Sequence, residues 1–339
     1  MIKSRNPKLL VIPGPTASGK SDLAVFLACE ITKRKWGGYN GAEIISADSR
    51  QVYTYLNEGT NKVPGKWLTI GGFASDDLSE AKPPIVFTYK GIPHHCIDFV
   101  HPRKTFTVAE YKKCANKAIA EIIARGNIPI LAGGTGFYIQ AVIDGIALPE
   151  VPPDAKLRKE FEKKTAEELF ILLKKLDPRR AAAIDAKNPR RLMRAIEIVK
   201  ATGKPVPHLV HDFRKSDFRI FGNRTSESLM IGIKKDTNTL RHAIEKRTKK
   251  LVPTILKETK RLLALRIPKK RIRELGFEYR LALESISGSL TSGDFERELI
   301  KETWRYAKRQ MTWFKRDKRI HWVETYEDAL QLVRAKLKT

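Results

Sequence analysis

Cysteine is scarce in this chain, and acidic residues are few for the number of basic ones. Three cysteines occur in 339 residues, Cys29, Cys96 and Cys114. They are far apart in sequence and show no C-x-x-C pairing. That excludes a disulfide framework and a zinc ribbon, and they read as reduced packing thiols. No apolar run approaches the roughly 20 residues that span a bilayer, and Met1-Ile-Lys-Ser-Arg-Asn-Pro lacks the apolar core of a signal peptide. The expectation is a cytoplasmic protein with no membrane contact. Internal repeats and low-complexity tails are also absent. Acidic residues number 38 against 65 basic ones, a formal charge of +27. Solubility does not require such an excess, so it points to a polyanionic partner, nucleic acid first, with a uniformly basic proteome as the alternative. The hydrophobic content of 42% supports an ordinary core, and the length fits two domains or one large α/β unit with an insertion.

What is present is organised around Gly14-Pro15-Thr16-Ala17-Ser18-Gly19-Lys20-Ser21. This fits the G-x-x-x-x-G-K-[ST] pattern and lies between the apolar run Leu9 to Ile12 and the helix-like stretch from Asp22, where a phosphate-binding loop must sit. Glycines let backbone N–H groups close around an oxyanion, the helix N-terminus adds its dipole, Lys20 supplies charge and Ser21 can hold Mg²⁺. The loop alone does not say which phosphate ester it holds.

Glu43 to Asp48 reads as a second strand, and residues just past strand C-termini line the ligand crevice of open α/β sheets. Asp48 therefore faces the same mouth. Three roles are open to it on position alone: Mg²⁺ binding, capping of the next turn, or taking a proton from a substrate. Ser49, Arg50 and Gln51 follow with groups able to read a base edge or a phosphate. Residues 57–90, with Gly71-Gly72 and Pro83-Pro84, look like a long surface excursion. His94, His95 and Cys96 lie together, but adjacent strand residues face opposite ways and no second ligand cluster follows. Satisfied histidines at a strand entry are expected there, not a metal. Thr107 and Glu110 form a capping box for a helix with the apolar stripe Val108, Tyr111, Ala115, Ala118, Ile119 and Ile122. Ile128 to Ala132 is a strand that delivers Gly133-Gly134-Thr135-Gly136 to the ligand edge.

Beyond Pro149, Pro152 and Pro153 the chain turns helical and charged. Thr165 with Glu168 caps a helix that buries Leu169, Leu172, Leu173 and Leu176, and Asn188-Pro189 starts another that ends at Gly203. There Arg190, Arg191 and Arg194 share a side while Leu192, Ala195, Ile196 and Val199 can pack. Leu229 to Ile233 and Ile320 to Val323 are late strands. Between them Trp304, Ala307, Met311 and Phe314 form an apolar stripe beside Lys301, Arg305, Lys308 and Lys315, a face that suits a phosphate backbone.

Taken together these residues resemble the tRNA dimethylallyltransferase (tRNA isopentenyltransferase) family along nearly the whole length. The matching segments run in one order: Gly14 to Ser21, Ile45 to Tyr53, Gly91 to His95, Ala132 to Tyr138, Asn188 to Glu197, Thr202 to Pro205, Leu275 to Phe277 and Ala307 to Phe314. The resemblance implies a P-loop NTPase-like α/β fold, a parallel sheet flanked by helices with a small all-helical insertion. Residues 1–145 and 206–339 would form the core with C-terminal helices, and residues 146–205 the insertion contacting tRNA. It further implies a monomeric enzyme that moves a dimethylallyl group from dimethylallyl diphosphate to N6 of the adenosine just 3′ of a tRNA anticodon, with Mg²⁺ as cofactor. Gly14 to Ser21 would clamp the diphosphate. Asp48 would be the general base, Thr16 would sit between donor and acceptor, and Arg247 would be a diphosphate ligand, with Ala243 in place of a first arginine. Contacts to the anticodon stem-loop would come from Asp48, Ser49, Arg50, Gln51, Thr135, Arg158, Arg190, Arg191, Leu192, Met193 and Arg194. No Cys/His pattern follows residue 323, so a zinc finger is not expected and the bacterial type is favoured. Rival readings are an adenylate isopentenyltransferase acting on free nucleotide, a P-loop nucleotide kinase, and a basic RNA-binding module.

Overall fold

The computed structural model describes residues 9–69, 85–146, 148–149, 151–207 and 228–337. Gly71, Gly72, Pro83 and Pro84 of the excursion lie outside the described residues. The strands are β1 (Leu9–Pro13), β2 (Ala42–Ser46), β3 (Lys66–Thr69), β4 (Ile85–Tyr89), β5 (Ile92–His95), β6 (Ile128–Gly133), β7 (Ser228–Ile233) and β8 (Ile320–Val323). The helices are α1 (Lys20–Arg34), α2 (Val108–Ala124), α3 (Gly136–Ile143), α4 (Ala155–Phe161), α5 (Ala166–Leu176), α6 (Pro178–Ala183), α7 (Pro189–Thr202), α8 (Thr237–Ala264), α9 (Lys269–Leu275), α10 (Phe277–Ile286), α11 (Ser292–Phe314) and α12 (Tyr326–Leu337).

One eight-stranded sheet in the order β3-β4-β5-β2-β6-β1-β7-β8 organises the larger of two compact units, Met1–Asp144 with Ser216–Thr339. From β5 to β8 every pairing is parallel. Alternation along each strand assigns the two faces. Leu10, Ile12, Ile44, Ile130 and Ile231 pack with Leu23, Leu27 and Ile31 of α1 and with Val333 of α12. Their neighbours Leu9, Val11, Ile45, Leu131 and Met230 pack with Tyr111, Ala115 and Ile119 of α2 and with Ile139 of α3. A sheet buried on both faces needs near-continuous apolar strands, which is the pattern of Leu9 to Ile12.

The excursion is part of the sheet. Lys66–Thr69 and Ile85–Tyr89 pair antiparallel, and β4 pairs antiparallel with β5. All four β3 residues are exposed, so ladder bonds define this strand and burial does not. His94 and His95 face opposite sides, as expected. His94 is buried and its Nδ1 lies 2.9 Å from the Ile92 carbonyl, with burial lowering its imidazole to about 4. His95 Nε2 meets Glu43 Oε2 at 2.7 Å, and the same carboxylate takes two bonds from Arg125 (2.9 and 2.8 Å) and one from Asn127 (2.7 Å). Burial acts to raise Glu43, yet the bonds from His95, Arg125 and Asn127 outweigh it and hold the carboxyl at about 2.

The second unit, Gly145–Lys215, carries α4 to α7. Both expected caps form: Thr165 and Glu168 make a reciprocal capping box, and Asn188 Oδ1 accepts from the Arg191 N–H. Leu169, Leu173, Leu192, Ala195, Ile196 and Val199 meet Phe161 in its core. Leu172 packs only partly and Leu176 is exposed, because the helix ends there and the last turn leaves the stripe.

Candidate active site

β1 runs straight into the phosphate loop. Ala17 (φ 61°) and Gly19 (φ 92°) both take left-handed backbone, which curls successive N–H groups into an anion-binding concavity ahead of α1. Gly14 leaves room for Ser18, since a Cβ there would meet Ser18 Oγ at 2.9 Å and turn that hydroxyl aside. Ser18 is buried and its hydroxyl has no partner among the described residues. Lys20 Nζ donates to the Pro15 carbonyl at 3.2 Å. Burial pushes its ammonium down to about 8 against the opposing pull of Asp48, with Arg247 lowering it further.

β2 and β6 end side by side and present Asp48 to that loop. Gly133 admits the approach: a Cβ there would stand 2.2 Å from the Ala47 carbonyl oxygen. Ala47 N–H donates to Ala132 O at 2.7 Å, Thr135 N–H to Ala47 O at 3.0 Å, and Ser49 N–H to Thr135 Oγ1 at 3.0 Å. Asp48 Oδ1 accepts from the backbone N–H of Arg50 at 2.8 Å and of Gln51 at 3.4 Å, so it caps its own turn. Both bonds fall on Oδ1, and Asp48 lines the cavity.

The C-terminal helices close the site. From α8, Arg247 donates through Nη2 to Thr16 Oγ1 at 2.6 Å, and its buried Nε has no partner among the described residues. From α11, Gln310 accepts from Thr16 N–H at 2.8 Å and donates to Gly134 O at 2.8 Å, one buried amide joining the phosphate loop to the β6 turn. Phe277 and Glu278 at the start of α10 and Tyr306 and Arg309 of α11 complete the wall. Arg309 stands over the Tyr306 ring at 5.8 Å. Burial raises the Glu278 carboxyl to about 7. The result is a cavity of about 250 Å³ lined by Thr16, Lys20, Ser21, Asp48, Arg50 and Arg247 among others.

Sequence reading missed Gln310, Glu278, Tyr306 and Arg309. The buried face of α11 is Phe295, Leu299, Thr303, Ala307, Gln310 and Phe314, so two polar residues sit on a stripe that apolar spacing placed on Trp304 and Met311.

Other expected site residues are engaged by the protein itself. The Gln51 side chain accepts from Ser46 Oγ and donates to the Thr60 and Asn61 carbonyls, so it braces the 57–61 turn and uses both amide hydrogens there while it lines the cavity. Thr135 holds Ser49 from behind. In the second unit Arg158 grips the buried Glu197 carboxylate at 2.5 and 2.9 Å, and Arg194 reaches Glu197 at 3.3 Å and Val151 O at 2.8 Å. Arg158 therefore locks α4 onto α7, and Arg194 ties the segment before α4 to the same carboxylate. Leu192 is 0% exposed in the core, which excludes its side chain as an RNA contact, and Met193 packs partly against the same core. Arg190 and Arg191 are exposed. The cysteines also depart from expectation: Cys96 and Cys114 meet in space, with sulfurs 2.7 Å apart.

The fold and the cavity define a phosphate-handling P-loop protein in which a carboxylate and a buried arginine face the anion cradle. Its particular kind follows from likeness to known proteins. The IPP transferase family model matches residues 77–317, and this chain belongs to that family. Among curated relatives, the tRNA dimethylallyltransferase of Pelotomaculum thermopropionicum is 34% identical over 96% of this chain and 95% of its own length. That of Acetivibrio thermocellus is 36% identical over 94% and 92%. Among solved structures, the tRNA isopentenylpyrophosphate transferase of Bacillus halodurans is similar with a TM-score of 0.62 at 29% identity, covering 97% of this chain and 95% of its own. The corresponding Staphylococcus epidermidis transferase gives 0.61 at 30% identity, covering 98% and 99%.

Proposed function

We propose that this chain transfers a dimethylallyl group from dimethylallyl diphosphate to N6 of the adenosine immediately 3′ of a tRNA anticodon, releasing diphosphate. The observation that carries the reading is the joining, in one cavity, of an anion cradle braced by Arg247 and Thr16 with a carboxylate that keeps one oxygen free. A cradle without a base suits many phosphate-binding proteins. A base opposite the cradle suits displacement of a diphosphate by a nucleophile that must lose a proton.

The allylic C1–O bond breaks and its electron pair leaves with the diphosphate. Charge grows on that leaving group, where Lys20, Arg247 and the loop amides of Ala17, Gly19, Lys20 and Ser21 would be aimed, and preorganised donors of this kind act most strongly as charge develops. N6 of adenine forms the new bond to C1, and Asp48 Oδ2 takes its proton. Thr16, fixed by Arg247 through its hydroxyl and by Gln310 through its N–H, stands between the two halves of the reaction. Ser49 and Arg50 face the target base, which must leave its stack to enter.

The Ser21 hydroxyl lines the cavity at the first turn of α1. No cluster of three His, Cys, Asp or Glu residues suited to a metal occurs among the described residues. A cation here would take Ser21 and diphosphate oxygens, which fits Mg²⁺, an ion that uses few protein ligands. When bound it supplies charge neutralisation on the departing diphosphate.

The test is mass spectrometry of nucleosides from unmodified tRNA incubated with the protein, Mg²⁺ and dimethylallyl diphosphate, with N6-dimethylallyladenosine expected. Prenylated AMP or ATP without prenylated tRNA would favour the adenylate isopentenyltransferase reading, and phosphoryl transfer from ATP the kinase. Asp48→Asn is expected to abolish transfer while tRNA affinity stays within a few-fold. Undiminished turnover would remove Asp48 from the role of base.

A further inference from the structure

Cys96 and Cys114 lie outside the cavity and play no part in the transfer. Cys96 follows β5, is 6% exposed and has left-handed backbone (φ 55°), while Cys114 sits on the second turn of α2 and is half-buried. Their Sγ atoms are 2.7 Å apart, so only a small adjustment separates them from the ~2.05 Å of a disulfide bond. Cys29 belongs to the core on the opposite face of the sheet and serves as an internal reference. The pair is asymmetric. The bond to Cys114, together with burial, raises the Cys96 thiol, whereas the bond from Cys96 lowers Cys114. The more accessible sulfur therefore has the greater thiolate character, the property that sets reactivity toward oxidants. Tyr111 is buried in the same core cluster, and its hydroxyl has no partner among the described residues.

We propose that Cys96 and Cys114 form a reversible redox modification site, at which a hydroperoxide oxidises Cys114 and Cys96 closes an intramolecular disulfide. The Cys114 thiolate attacks the terminal oxygen of the hydroperoxide. The O–O bond breaks, the second oxygen leaves as water or an alcohol after taking up a proton, and Cys114 becomes a sulfenic acid. Cys96 Sγ then attacks Cys114 Sγ. The S–S bond forms, the S–O bond breaks, and the hydroxide that leaves takes the Cys96 proton and departs as water. Two thiols lose two electrons in all, and the hydroperoxide gains them. Closure ties α2 to the chain just ahead of Asp98, Phe99 and Val100, whose N–H groups donate to Gln51 O and Val52 O at 2.9 Å each. The tether thus secures the strip that backs the Asp48 turn and leaves the cavity wall itself untouched.

The experiment exposes the full chain to a few equivalents of hydrogen peroxide, blocks free thiols with N-ethylmaleimide, and reads intact mass and unreduced peptides. Expected are the loss of two hydrogens, a Cys96 to Cys114 linked peptide, and a single maleimide on Cys29. Dithiothreitol added before the blocking step should restore all three sites to maleimide. Amide exchange at Asp98, Phe99 and Val100 should slow severalfold in the oxidised form. In Cys96→Ser, Cys114 should be trapped by dimedone as the sulfenic acid. Maleimides on both Cys96 and Cys114 at doses that already oxidise Cys29 would overturn the proposal, as would covalent dimers in place of the internal link. A Cys96→Ser protein with no dimedone adduct would overturn the order of attack.

Discussion

Arg247 carries a different burden from the surface arginines of this chain. It is buried against Thr16, where a guanidinium acts without screening by bulk water. Arg247→Ala should lower kcat/KM for the prenyl donor about 10²- to 10³-fold, the usual result of removing one aimed donor, with tRNA affinity little changed in a filter-binding assay. Equal loss of tRNA binding would assign the arginine to RNA instead. Glu43, at the opposite end of β2 from Asp48, is a structural counterpart. Held at about 2 by its three partners, its carboxyl lies below the unfolded value of 4.5. Its contribution to stability is therefore present above that unfolded value and is lost as pH falls toward 2. Glu43→Gln should cost about 3 kcal/mol at neutral pH in denaturant melts, and the gap to wild type should shrink between pH 4.5 and 2. A gap that stays constant with pH would mean packing, not charge, holds this end of the sheet.

At the scale of elements, the strand ends β2 and β6 approach closely because Gly133 has no side chain. Gly133→Ala must push against the Ala47 backbone, an overpacking expected to cost about 1 to 3 kcal/mol. The Asp48 turn hangs from the same residues, so kcat should fall about 100-fold as the carboxylate shifts. A variant of full activity would show that the turn is positioned from the α11 side. The parallel strands, the phosphate loop and the helix caps were legible in sequence because each is a local pattern of spacing or capping chemistry. β3 and β4 were not: β3 is exposed throughout and has no burial period to read. Gln310 and Thr303 were hidden because polar residues on a buried face break the stripe that spacing looks for, and they do so where the helix serves the site. The meeting of Cys96 with Cys114 was hidden by reading distance along the chain as distance in space. Arg158 and Arg194 were legible as cations, but the buried Glu197 that engages them could not be assigned from charge alone.

Over the whole molecule, the formal charge of +27 favours association with a polyanion through counterion release. The logarithm of tRNA affinity should fall linearly with the logarithm of salt concentration, by about 0.7 to 0.9 for each phosphate neutralised. Removing Arg190 and Arg191 together should flatten that slope by about 1 per arginine. A salt-insensitive affinity would leave the excess charge as plain surface. The phosphate loop stands near the start of the chain, and the amide that holds its Thr16 N–H comes from Gln310, 294 residues later. Tyr326 OH reaches Gly19 O across a further separation of 307. During synthesis, therefore, the anion cradle leaves the ribosome long before its braces, and the nascent chain gains a finished pocket only when α11 and α12 have emerged.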